Sequence, residues 1–344
     1  MGVTGLGELF SIRYETDFTG LKRRKIALDA FNTIYQFLST IRQPDGTPLT
    51  DSKGNPTSHL SGIIYRVTKL LEEQIQVVFV FDGDPPKLKS ETIKTRSKIR
   101  EEAEEKYEEA LKEGDLARAF SMAQRTSKIT KSIVEESKKL LELLGIPVVQ
   151  APQEGEAQAA WLTKQGLVDY CGSQDFDSFL FGSPNLVRNL TVSGKRKLPK
   201  KNKYVHVKPE KIFLDENLKN LGITREQLID IAILMGTDYN PGGIQGFGPK
   251  KSLKLIKDHG SLENAIEKGL ISPEFPWKEI REIFLNPKII EIKKLDFRPP
   301  KTEEIIKFLC EEKEFAESRV RNALERAYRG WDELHKQASL DDFF

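Results

Sequence analysis

Two short apolar runs, Ile26 to Leu28 and Val77 to Phe81, are each closed by an aspartate, Asp29 and Asp82. Such runs lack polar alternation and read as strands of a parallel sheet buried on both faces. Strand-like segments at Lys25–Ala30, Val77–Asp82, Pro147–Gln150, Tyr170–Ser173, Leu186–Leu190 and Tyr204–Val207 alternate with helical stretches. That alternation predicts an α/β fold, a mainly parallel sheet with helices on both faces. Near the end, Val320, Leu324, Ala327, Trp331 and Leu334 repeat at helical spacing and predict an amphipathic helix packed on the body.

Two insertions break the rhythm. The first, from about Pro85 to Lys139, is charged and helix-prone, with Gly114 as its internal breaker. Its start is basic, and Lys89, Arg96 and Arg100 fall on one helical face a few residues after Asp82. A charged run is usually a solvated helix. Its place beside Asp82 favours a helical lid over an anionic site. The second, Lys195 to Lys203, packs six basic residues into nine; it reads equally as a nucleic-acid contact or a solvated hairpin tip.

Composition narrows the class. The chain has 344 residues, 31% of them charged, yet a net charge of only +2, so any nucleic-acid contact must come from how charge is distributed. Its two cysteines and four histidines are scattered without metal-ligand spacing, which argues against a disulfide scaffold or a zinc site. No apolar run is long enough to span a membrane, and no signal-peptide pattern opens the chain. A soluble, cytoplasmic protein is expected.

The chemistry lies in carboxylates. Asp29 and Asp82 close their strands, and Glu154, Glu156, Asp175, Asp177 and Asp238 stand in PQEGEA, SQDFD and MGTDY. One aspartate at a strand end is more often a helix cap. Seven together, two pairs of them a single residue apart, repel unless cations lie between them. Hard oxygen donors favour Mg²⁺ or Mn²⁺, and the pattern suggests a two-metal phosphodiester-cleaving site. Farther along, Gly246 and Gly248 would let backbone amides approach a ligand, with Lys250 and Lys251 beside the start of a helix opened by Pro249. Alone this could be a capped turn; beside the carboxylates it reads as a phosphate-backbone site. The final residues, QASLDDFF, put Leu340, Phe343 and Phe344 on one face of a helical turn, which points to a partner pocket.

Together, MGVTGL, ALDAFNTIYQFL, FVFDGDPPKLKS, APQEGEAQAAWL, SQDFDSFLFG, MGTDYNPGGIQGFGPKK and QASLDDFF resemble the archaeal flap endonucleases from end to end. The resemblance implies a twisted sheet, a helical arch over the active site and a helix–two-turn–helix element. It also implies removal of 5′ flaps from flapped or nicked duplex DNA in Okazaki-fragment maturation and long-patch base excision repair, with added 5′–3′ exonuclease activity. Two Mg²⁺ (or Mn²⁺) ions would be held by Asp29, Asp82, Glu154, Glu156, Asp175, Asp177 and Asp238. Lys89 and Arg96 would meet the scissile phosphate, Tyr35 would stack on the neighbouring nucleotide, and the Gly2 amine would lie close by. Gly246, Gly248, Lys250 and Lys251 would grip duplex DNA, around a K⁺ ion. Gln337, Leu340, Phe343 and Phe344 would bind a PCNA-type sliding clamp, the free protein being a monomer. The expected layout is one nuclease domain over residues 1–336 and a clamp tail at 337–344. Within the domain, a nuclease region spans about 1–84, the arch 85–139, the internal region 140–260 and a helical region 261–336. The alternatives are a non-catalytic clamp-tethered junction scaffold, a related 5′ exonuclease, and an RNA-directed nuclease.

Overall fold

The computed structural model describes residues 2–191, 194–197 and 204–341, the side chains at 194–197, 204–206 and 337–341 excepted. Strands β1 (Tyr14–Glu15), β2 (Lys25–Asp29), β3 (Gln76–Phe81), β4 (Val148–Gln150), β5 (Tyr170–Gly172), β6 (Asn185–Arg188) and β9 (Glu210–Phe213) form one sheet in the order β1-β9-β6-β5-β2-β3-β4. From β6 to β4 all neighbours are parallel; β9 and β1 add an antiparallel edge. The core explains why. Ile26, Ala27, Leu28 and Val77 through Phe81 are buried on both faces of β2 and β3, with apolar clusters above and below. From β2 the chain moves outward through β3 and β4, then returns to β5 on the other side. The sheet therefore reverses direction between β2 and β5, where open α/β sheets form their ligand crevice at the strands' carboxyl ends.

Two expectations change here. Tyr204–Val207 does not join the main sheet; as β8 it pairs with β7 (Gly194–Lys197) in a separate hairpin. The last sheet strand is β9, which pattern reading missed because Ile212 is its one fully buried residue. The basic run Lys195–Lys203 straddles that hairpin, and residues 198–203 lie outside the described residues.

The first insertion folds as a helix pair, Ser90–Lys112 and Leu116–Ala123. Gly114, with φ of 73°, makes the turn between them, and the Asp115 side chain caps the second helix at Arg118. The two helices pack on each other, and Ala103, Ala110, Ala119 and Ala123 are buried in the pair. The helix Lys131–Leu143 that follows packs into the body through Ile133, Leu140 and Leu141. The predicted stripe is real: Val320, Leu324 and Ala327 are buried along the helix Glu317–Asp341. Among the described residues no helix is long and apolar enough to cross a membrane.

Candidate active site

Five segments converge on the crevice. Asp29 ends β2 and also caps the following helix, accepting from the Asn32 amide at 3.0 Å, so the structural role and the site position coincide. Asp82 follows β3 and accepts from the Gly155 amide at 2.6 Å. A Cβ at Gly155 would stand 2.6 Å from that same carboxylate oxygen, so the close approach requires glycine. Glu154 and Glu156 flank Gly155 where the helix Gly155–Lys164 begins. Past β5, Ser173 donates to Glu156 at 2.8 Å, and the Asn32 side chain donates to Asp175 at 2.9 Å. The Val3 amide donates to Asp177 at 3.0 Å, with Gly2 at φ 85° packed against Asp175 and Asp177. Asp238 follows the helix Arg225–Met235.

All seven carboxylates, with Gly2, Tyr35, Lys89 and Arg96, line one cavity of about 670 Å³. Burial and mutual repulsion push the acids up. Asp29 rises to about 8, from burial and then the Asp82 charge. Asp82 rises to about 6 through burial and Glu154, and Asp177 to about 7, chiefly through burial. Glu156 is held well above the usual carboxylate range by burial and by Asp177. Metal-free, this cavity cannot hold all its acids ionised; it lacks positive charge.

Lys89, in the turn before the covering helix pair, and Arg96 on it supply part of that charge. Lys89 Nζ stands 2.7 Å from Glu154 and 3.6 Å from Asp238, and Arg96 lies 2.6 Å from Asp238. Burial alone would lower the Lys89 ammonium's pKa, but Glu154, Asp238 and Asp82 outweigh it and raise it. Among the described residues no group of three or more His, Cys, Asp or Glu side chains is drawn together tightly enough to hold a metal ion as the side chains lie. Glu154 and Asp238 instead lie against protein cations. The donor set is all hard oxygen, and its raised acids gain from any divalent cation, so its chemistry fits magnesium or manganese.

Sequence reasoning passed over several cavity residues. Tyr239 donates its hydroxyl to Glu154, and packs edge-on against Phe284 at 5.4 Å. Asn32, three residues after Asp29, and Tyr239, next to Asp238, had a signal in their spacing. Arg125, which also lines the cavity, had none, since only the fold brings it near.

Other predicted residues lie elsewhere. Gly246, Gly248, Lys250 and Lys251 stand exposed at the start of the helix Pro249–His259, outside the cavity. Gly248 provides no side-chain cap there, and Lys251 Nζ sits 4.2 Å over the Phe247 ring. The amino-terminal segment links the two regions, with Gly2 against Asp177 and Gly5 against Pro249. Phe343 and Phe344 lie outside the described residues, as do the side chains of Gln337 and Leu340.

Residues 1–103 match the XPG N-terminal domain and residues 145–238 the XPG I-region. Flap endonuclease 1 of Pyrococcus furiosus is 51% identical over 344 residues, covering 100% of this chain and 99% of the relative. The chain belongs to the flap endonuclease 1 family. Its relative in Saccharolobus solfataricus is 50% identical over 340 residues, 97% of each chain. Among solved structures, the flap endonuclease-1 of Methanococcus jannaschii is 42% identical with a TM-score of 0.75, covering 96% of this chain and 98% of that one. The catalytic core of Rad2 in complex with a DNA substrate is 26% identical with a TM-score of 0.69, covering 94% of this chain and 97% of that core. Flap endonucleases of this family are metal-dependent, and membership makes this chain a structure-specific 5′ nuclease acting on DNA, with roles in replication and repair. The helix pair fits the family's arch, and Arg225–Met235 with Pro249–His259 fits its helix–two-turn–helix element.

Proposed function

We propose that this flap endonuclease cuts 5′ flaps through two Mg²⁺ or Mn²⁺ ions held by Asp29, Asp82, Glu154, Glu156, Asp175, Asp177 and Asp238. The observation that carries this reading is the gathering of those acids around one cavity beneath Lys89 and Arg96. When bound, the metals would activate a water and stabilise the leaving oxygen. The protein's part is orientation and charge. Asn32, Ser173, Gly155 and the Val3 amide hold carboxylates by the hydrogen bonds given above. Lys89 and Arg96 leave the acids for the scissile phosphate, offsetting its developing charge. Tyr35 stacks on the nucleotide beside the cut, which must leave the base stack to reach the acids. A pure binder of a polyanion would be hurt by seven acids, which disfavours the scaffold alternative. Comparing cleavage of a 5′ flap, a nicked duplex, a bubble and single-stranded RNA in Mg²⁺, with EDTA as control, tests the reading. Preference for any substrate over the flap would replace it.

The exposed turn from Gly246 to Lys251 is proposed to grip duplex backbone and would hold a potassium ion. Lys250→Ala with Lys251→Ala should flatten the slope of log affinity against log salt by roughly two, one per phosphate neutralised. An unchanged slope would return the turn to a structural role. We place the protein in the cytoplasm as a monomer, its tail bound to a sliding clamp. Phe343→Ala with Phe344→Ala should abolish clamp stimulation and spare clamp-independent flap cutting. Calorimetry with the cognate clamp checks this, and undiminished binding would move the contact elsewhere.

A further inference from the structure

Eight large hydrophobic side chains stand exposed among the described residues, and two of them, Ile93 at 43% and Ile99 at 52%, line the catalytic cavity. Scattered surface isoleucines are ordinary. These two are not scattered. Both lie on the helix Ser90–Lys112, where Arg96 and Arg100 also line the cavity, as does Lys89 in the turn just before it. Apart from Thr92, Thr95, Tyr107 and Leu111, the rest of that helix is Glu, Lys, Arg, Ser and Ala, which suit an exposed helix as well as isoleucine or better, and the exposed Leu111 lies outside the cavity. The body side of the same cavity offers Phe31 and Tyr35. Cations interleaved with apolar side chains match a ligand that shows phosphates and uncovered base faces together. Duplex DNA shows its phosphates but keeps its base faces stacked; a single strand shows both.

We infer that Ile93 and Ile99 form an apolar wall that contacts the bases of the unpaired 5′ strand, so that the helix selects single strands by their exposed bases as well as their charge. This rests on the proposed 5′-flap reading and adds a specificity element to it. Lys89, Arg96 and Arg100 hold the phosphates, while the isoleucines add contact that a paired strand cannot supply.

The test compares a 5′ flap of ordinary nucleotides with one whose flap nucleotides are abasic except the nucleotide beside the cut, which keeps its base for Tyr35. Single-turnover rate and affinity are measured for the wild-type chain, for Ile93→Ala with Ile99→Ala, and for Ile93→Leu with Ile99→Leu. Alanine is the best helix former, so the helix should persist, and a thermal melt checks it. Removing the bases should cost the wild type roughly tenfold. The alanine variant should lose about as much on the ordinary flap and nothing further on the abasic one, while the leucine variant tracks the wild type. A wild type indifferent to base removal, or losses that simply multiply, would overturn the inference. A wild type that cuts no flap at all would instead overturn the proposed function.

Discussion

Asp175→Ala should cut single-turnover cleavage of a 5′ flap by roughly a thousand-fold or more, because it removes a hard-oxygen donor from the reacting centre. Affinity for the flap should stay close to that of the wild type, since the proposed duplex grip at Lys250 and Lys251 lies outside the cavity. The sign of the stability change is as informative as the lost rate. Asp175 is held above its ordinary pKa by burial, which outweighs the attraction of the amino-terminal charge and of Arg188, with Asp238 adding repulsion. Removing it relieves a crowded set of acids, so in metal-free buffer the melting temperature should hold or rise. The Asn32 amide would lose its acceptor, a smaller opposing cost. Full turnover by the variant would falsify the assignment of this acid to the chemistry.

The carboxylates were legible because each stands against its background. Asp29 and Asp82 end runs of buried apolar residues, and no charge sits there without a cap, a partner or a function. Asp29 turned out to be both cap and site residue, which sequence had posed as alternatives. The parallel core was legible for the same reason, since β2 and β3 are apolar on both faces. The antiparallel edge was not. β1 is two residues long with both exposed, and β9 carries one fully buried side chain, so neither leaves a periodic trace.

Charge pattern announced the first insertion but not its packing. Four of the pair's buried residues are alanines, and alanine is too common in helices to be read as a contact. Sequence also could not show where the cations rest. Lys89 and Arg96 were read as phosphate contacts, whereas their side chains lie against Glu154 and Asp238. The same residues can serve both ways, since a carboxylate and a phosphate are alternative anions for one cation. Gly2 was placed near the site by the family resemblance alone, and Arg125 reaches the cavity only through the fold.

Lys89→Ala and Arg96→Ala should each lower the single-turnover rate by about 10²- to 10³-fold while changing flap affinity far less, because a cation at the scissile phosphate acts mainly where charge develops in the transition state. The structure adds a second expectation, opposite in sign to that for Asp175. In the metal-free chain these cations are counterions, Lys89 for Glu154 and Asp238, and Arg96 for Asp238. Deleting Lys89 leaves Glu154 and Asp82 facing each other with less positive charge between them, a loss felt most at such a buried position. Lys89→Ala should therefore melt earlier than wild type without metal, and added Mg²⁺ or Mn²⁺ should recover much of the difference by supplying the missing charge. Arg96 is more exposed, so its deletion should cost less stability for a similar loss of rate. Melting curves with EDTA and with metal, set beside single-turnover rates and flap affinities, separate the two roles. If either variant lost flap binding yet kept its cleavage rate, the helix pair would be a docking surface alone. If Lys89→Ala melted like the wild type without metal, its pairing with Glu154 would contribute nothing to the resting protein.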